Sequence, residues 1–240
     1  MNDIGELSES EENAANIASK ENLDQFFSML PVRLQREEWL NTWSHGLSAI
    51  FAIFGFAYVF FCALESGKAY ALESALIYGT SLVVLFAASS FYHGASDPLI
   101  KKRLRIMDHC AIFIFIAGNY TPLLLLTVGG STGFSLLLLQ WTVAMIGVVL
   151  KIKFTGRFDL LFIFLFVIMA WIGVIQGDYM YTQLPIEGFN LLIFGGVIYM
   201  IGVVFYKSEG RIPYAHFIWH LFVMGGSLIH YIVMVNYVFS

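Results

Sequence analysis

His216 and His220 stand four residues apart, and Ser89 and His93 repeat that interval earlier in the chain. Residues i and i+4 share one face of a helix, so each pair would project in a single direction. Both pairs lie in strongly apolar surroundings, where an ionisable side chain is costly and is generally kept for a use. Three imidazoles with the carboxylate of Asp108 make the donor set of a catalytic zinc, which takes three protein ligands and leaves a position for water. In such a site Asp108 would bind the ion directly or, the preferred arrangement, through that water. Ser89 would hold a ligand or the water by a hydrogen bond. An isolated His-x3-His pair could equally cap carbonyls or face lipid headgroups. What decides is whether the elements carrying these residues bring them to one place.

Composition identifies those elements. Of 240 residues, 58% are hydrophobic and 12% charged, whereas about a quarter of a soluble domain is charged. The excess apolar surface must face a bilayer. Seven stretches are apolar enough and long enough to approach the roughly 20 residues of a transmembrane helix: 43–62, 74–92, 107–128, 134–150, 158–175, 188–206 and 216–239. Turn-forming breaks separate them, among them Asp97-Pro98, Gly129-Gly130, Gly156-Arg157 and Gly210-Arg211. No internal repeat is visible, so an inverted-repeat transporter finds no support. Cys62 and Cys110 fall at opposite ends of their spans and are expected to be separate buried thiols, without a disulfide.

Orientation follows from the basic residues. Arg33, Arg36, Lys101, Lys102, Arg103, Arg105, Lys151, Lys153, Arg157, Lys207 and Arg211 fall on one side of seven alternating spans, and Lys68 alone near the membrane falls on the other. The expected fold is therefore an all-α seven-transmembrane helix bundle in the inner cell membrane, with the N-terminus cytoplasmic and the C-terminus outside. Residues 1–25, rich in Asp and Glu, are expected to form an acidic, disordered cytoplasmic tail. That stretch has neither the basic start nor the hydrophobic core of a signal peptide, so the first span would act as the targeting signal. Residues 26–42 mix apolar and charged positions and read as an interfacial amphipathic segment, and 43–240 form the transmembrane domain.

This topology brings the chemistry together. His93 closes the second span, Asp108 and His109 open the third, and His216 and His220 open the seventh, all at the cytoplasmic side. The remaining histidines fit less well. His230 lies ten residues beyond His220, about 15 Å deeper at 1.5 Å per residue, and reads as a hydrogen-bonded packing residue. His109 points about 100° away from Asp108 around the helix. His45 is at the correct depth and is expected to bond Asn41 or Glu38 near the site. Pro122, which frees the carbonyl of Gly118, is expected to kink the third span. The pairs Gly195-Gly196 and Gly225-Gly226 are expected to mark close helix contacts.

Ser89-Ser90-Phe91-Tyr92-His93, Met107-Asp108-His109, Ala117-Gly118-Asn119-Tyr120-Thr121-Pro122 and His216-Phe217-Ile218-Trp219-His220 resemble the motifs of the progestin and adiponectin receptor family. More closely, the chain resembles the bacterial hemolysin III branch, from about residue 35 to the end. The resemblance implies a seven-helix fold with a zinc ion near the cytoplasmic face, held by His93, His216 and His220 and completed by Asp108 and Ser89. It further implies kinship with the alkaline ceramidases among membrane metal-dependent hydrolases, and for bacterial members a part in membrane lipid homeostasis.

Three functions compete. A zinc-dependent hydrolase would cleave a lipid amide or ester, with Asp108 and Ser89 as catalytic residues. A non-catalytic lipid sensor would hold a structural zinc. A pore-forming cytolysin would need polar residues through the whole membrane, and the outer halves of the spans offer only scattered ones such as Gln140, Gln176 and Asn190. Membrane lipids are the expected partners; nucleic acid is not. The split of basic residues makes one direct prediction: a reporter fused at Ser240 should be active only outside the cytoplasm, and cytoplasmic activity there would refute the assigned topology.

Overall fold

The computed structural model describes residues 32–172 and 177–240, and the described residues form helices joined by short turns, without strands. They are α1 (Val32–Ser66), α2 (Ala71–Gly94), α3 (Pro98–Pro122), α4 (Gly130–Lys153), α5 (Asp159–Ile172), α6 (Gly177–Gln183), α7 (Ile186–Lys207) and α8 (Ala215–Val233). Six of these, with their extensions, are long and apolar enough to cross a membrane. The pair α5 and α6, bent 47° from one another, makes a seventh if the two are counted as one broken span. The stretch 158–175 is thus realised as a broken element, and its last residues, 173–175, lie outside the described ones. So do residues 1–31, which include the acidic stretch 1–25 and the start of the interfacial segment. From Val32 onward that segment is continuous with the first span as one helix of 35 residues.

Local chemistry explains the boundaries. α3 opens on Asp97, whose carboxylate accepts from the amides of Leu99 and Ile100 at 2.8 Å, with Pro98 in the first turn. Both features satisfy or remove amides that a helix start leaves unpaired. At its far end Pro122 removes a donor, and the regular helix gives way to π-helical turns over Leu123–Val128. Helix α8 relaxes similarly over Met234–Val238. Lys68, in the turn after α1, donates to the carbonyls of Val238 and Ser240 at 2.9 and 2.7 Å and so satisfies the end of the chain.

Helices adjacent in sequence pack on one another, α1 on α2, α2 on α3, α7 on α8, and α1 closes the bundle by contacting α8. Phe51, Phe54 and Leu138 are among many large apolar side chains left exposed on the outside, the surface a bilayer would cover. Close approach depends on particular glycines. A Cβ on Gly118 would collide with Ser81 and approach the Ile77 carbonyl of α2, and one on Gly195 would collide with the His230 ring. Gly226 abuts Tyr199 in the same way, whereas Gly196 has nothing within 4 Å and Gly225 only an ordinary contact. One glycine of each pair therefore makes the close helix contact. Cys62, half-buried rather than buried, and Cys110, buried, are free thiols.

Gly118 supplies a test of this packing. Gly118→Val should lower stability by about 1–3 kcal/mol, the usual cost of overpacking a filled interior. Unfolding of the purified protein in detergent would measure it, and a wild-type midpoint would contradict the contact between α2 and α3.

Candidate metal centre

The last turn of α2 and the first two turns of α8 meet at one end of the bundle. His93, from α2, and His216 and His220, one turn apart on α8, form a triangle with ring centroids 5.0, 4.9 and 4.9 Å apart. One nitrogen from each ring lies within 4.8 Å of the others, and among the described residues this is the only group of three or more such side chains that could hold a metal ion. His93 is 5% exposed and His220 2%, yet Nε2 of His93 and Nδ1 of His220 have no hydrogen-bond partner in the protein. Buried polar atoms are nearly always satisfied. Unsatisfied imidazole nitrogens converging from two helices therefore fit a metal ion, and a nitrogen donor set suits zinc among others.

The surroundings hold the rings in place. Nδ1 of His93 lies 3.1 Å from Oε2 of Glu38 on α1, and the same oxygen accepts from Nζ of Lys101 at 2.8 Å. Nδ1 of His216 lies 3.3 Å from Oε2 of Glu209, in the turn before α8. The hydrogen bond from His216 keeps the Glu209 carboxyl below the ordinary carboxylate range. Glu37 accepts from the backbone amide of His216 at 3.3 Å, adding a carboxylate where a helix start favours one. His45 stacks face to face on His220, with centroids 3.7 Å apart and planes 8° from parallel.

Asp108 stands on α3 beside this triangle. Its carboxylate accepts a hydrogen bond from the Ser89 hydroxyl, and His216, Arg105 and Lys151 are near it. It does not join the three imidazoles in the group whose ligand atoms share one small volume. Ser89 itself is buried one turn before His93. The structure thus gathers all five residues singled out by spacing at one end of the bundle, three as a tight triangle and two as a hydrogen-bonded pair next to it.

Other polar residues take different places. His45 bonds neither Asn41 nor Glu38: both its nitrogens and the side-chain oxygen of Asn41 are buried without a partner, because Glu38 is turned toward His93 and Lys101. His109 points its Nδ1 back at the Arg105 carbonyl, 2.7 Å away, within its own helix. His230 accepts from Asn119 at 2.8 Å and donates to the Leu192 carbonyl at 3.1 Å, a satisfied packing histidine. Spacing alone did not single out Glu37, Lys101 or Glu209 as neighbours of the imidazoles. Glu38 is expected from the sequence beside His45 and bonds His93 instead; nothing in the interval between Glu209 and His216 marks their contact.

A triad of imidazoles on the second and last spans, next to an Asp–Ser pair, marks a multi-span membrane protein with a buried cluster that could hold a metal ion. Comparison with known proteins identifies the family. The profile described as "Haemolysin-III related" matches residues 34–231, and the chain belongs to this family, the hemolysin III branch of the progestin and adiponectin receptors. It is 38% identical to the "Hemolysin-3 homolog" of Bacillus subtilis over 192 residues, covering 80% of this chain and 90% of that protein. It is 37% identical over 203 residues to "Hemolysin-3" of Bacillus cereus, covering 85% and 92%. The human "Monocyte to macrophage differentiation factor" is 30% identical over 210 residues, 85% of each chain.

Metal content tests the triangle. The purified protein should carry about one zinc per chain, expected for a site with a single set of ligands, and should lose it when His93, His216 and His220 are all changed to Ala. Unchanged metal in that variant would discard the site, and loss on His230→Ala would relocate it.

Proposed function

We propose that this protein is a zinc-dependent hydrolase of the inner cell membrane, cleaving an amide or ester bond in a membrane lipid and so contributing to lipid homeostasis. The observation that carries the reading is the pairing of unsatisfied, buried imidazole nitrogens with a carboxylate–hydroxyl pair at the same end of the bundle. His93, His216 and His220 would hold the ion, with Asp108 reaching it through water. Zinc there would supply Lewis-acid polarisation of a carbonyl and acidification of water.

The chain's own residues supply the rest. Asp108 is the proton acceptor: its carboxylate can take a proton, and the Ser89 hydroxyl, by occupying one lone pair, fixes which face of the carboxylate remains free. Arg105 and Lys151 are the cationic side chains near it. The N-in, C-out orientation inferred from the basic residues puts this end at the inner leaflet, where a lipid headgroup and its acyl linkage lie at the depth of the histidines. Polar groups nearer the other end are buried and donate within the protein, the Asn119 amide to His230 and the Gln140 amide to the Met169 carbonyl. That supports a closed bundle over a pore.

Asp108→Asn separates hydrolase from sensor. Asparagine keeps the size and can still accept from Ser89, but it cannot take up a proton. Removing a positioned general base costs about 10² to 10⁴ in rate. Turnover of a ceramide and lysolipid panel should therefore fall at least about a hundredfold while zinc stays bound. A sensor with structural zinc predicts instead that the variant behaves nearly as wild type. Zinc lost from Asp108→Asn would make Asp108 a direct ligand and remove the open position on which the hydrolase depends.

A further inference from the structure

The contact between Glu38 and His93 does more than join two helices. An ionised carboxylate only accepts hydrogen bonds, and the Lys101 ammonium, 2.8 Å from the same Glu38 oxygen, stabilises that ionised form. His93 must then donate through Nδ1, and in a neutral ring the lone pair is left on Nε2. Nε2 of His93 is the atom found buried and without a partner. Glu38 therefore selects the tautomer that metal ligation needs, from a helix that contributes none of the three imidazoles. The same relation recurs at His216, whose Nδ1 faces Oε2 of Glu209. Metal-binding histidines characteristically give their second nitrogen to such a carboxylate, which fixes the ring and raises its basicity.

Lys101 keeps Glu38 in place. Its ammonium also donates to the carbonyls of His93 and Ala95, at 3.3 and 3.4 Å, at the end of α2. One cation thus ties the carboxylate to the helix end that carries His93. We infer that Glu38 is a positioning residue of the metal centre, setting the tautomer and orientation of His93. The inference rests on the reading of the three histidines as metal ligands.

The test uses the full-length protein in nanodiscs, with zinc alone as probe and a chromophoric chelator as competitor. Glu38→Ala should weaken zinc binding about 10- to 100-fold, the usual effect of losing such a carboxylate. Lys101→Met, which breaks the ion pair but leaves the carboxylate beside His93, should weaken it less, although both variants lose the link between α1 and α3. Nitrogen-15 spectra of the zinc-free protein give a second readout: His93 should be Nδ1-protonated in the wild type and a tautomer mixture in Glu38→Ala. Wild-type zinc affinity in Glu38→Ala, or an equal loss in Lys101→Met, would overturn the inference. His220→Ala keeps the two failures apart. If it abolishes zinc binding while Glu38→Ala does not, only the role of Glu38 falls; if it binds zinc as wild type does, the metal centre falls and the inference with it.

Discussion

The structure depends on one constraint: imidazole nitrogens buried at the end of a bundle must find partners, and water is scarce there. An unsatisfied buried donor or acceptor costs about 1–3 kcal/mol. His93 and His216 meet half of that requirement with carboxylates, Glu38 and Glu209. The nitrogens left over on His93 and His220 have no protein partner. On the proposed reading a metal ion would engage both of them. His93, Asp108 and His220 meet at that end from α2, α3 and α8, the last of them remote in sequence from the other two.

Helix α1 is what makes that arrival possible. It offers no imidazole to the triangle, yet one turn of it reaches both sides of the site, Glu37 to the start of α8 and Glu38 to the end of α2. One turn further along, Asn41 is buried, and His45 beyond it covers the face of His220. Next to these, Ser90 of α2 donates to the Thr42 carbonyl of α1 at 2.9 Å. Gly46, whose added Cβ would lie 3.0 Å from Ser90 Oγ, keeps the two helices close. The first helix is therefore both a membrane span and the side wall of the site. Its length of 35 residues, about 52 Å at 1.5 Å per residue, leaves room for both.

Much of this could be read before any coordinates, and the reasons differ from residue to residue. The intervals Ser89/His93 and His216/His220 were informative because helix periodicity turns a spacing of four into a shared face. The spans could be read because a bilayer demands long apolar runs; the stretch 158–175 carries one charge, Asp159, and composition gave no sign that α5 and α6 would be bent 47° from one another. Contacts between elements were not legible. No rule of spacing connects Glu38 with His93, 55 positions away, or Glu209 with His216 across a turn. His45 was read as a hydrogen-bonding residue because imidazole is polar; it stacks instead, a geometry that depends on where α1 crosses α8.

His220 and His230 show how one residue type takes opposite roles on one helix. Both are buried, and both lie on the inward side of α8. His230 has an acceptor for one nitrogen, the Leu192 carbonyl, and a donor for the other, Asn119. Its hydrogen-bonding capacity is used up, and Gly195 is small so that the ring can sit against α7. It welds helices together and has nothing left to offer a ligand. His220 has a stacking partner on its face and an empty nitrogen at its edge. Burial is the same in both cases, and so is the cost of leaving a nitrogen alone. The difference lies in which nitrogens the bundle has already satisfied. By that criterion the deep histidine belongs to the fold, and the shallow one keeps a nitrogen free for a ligand.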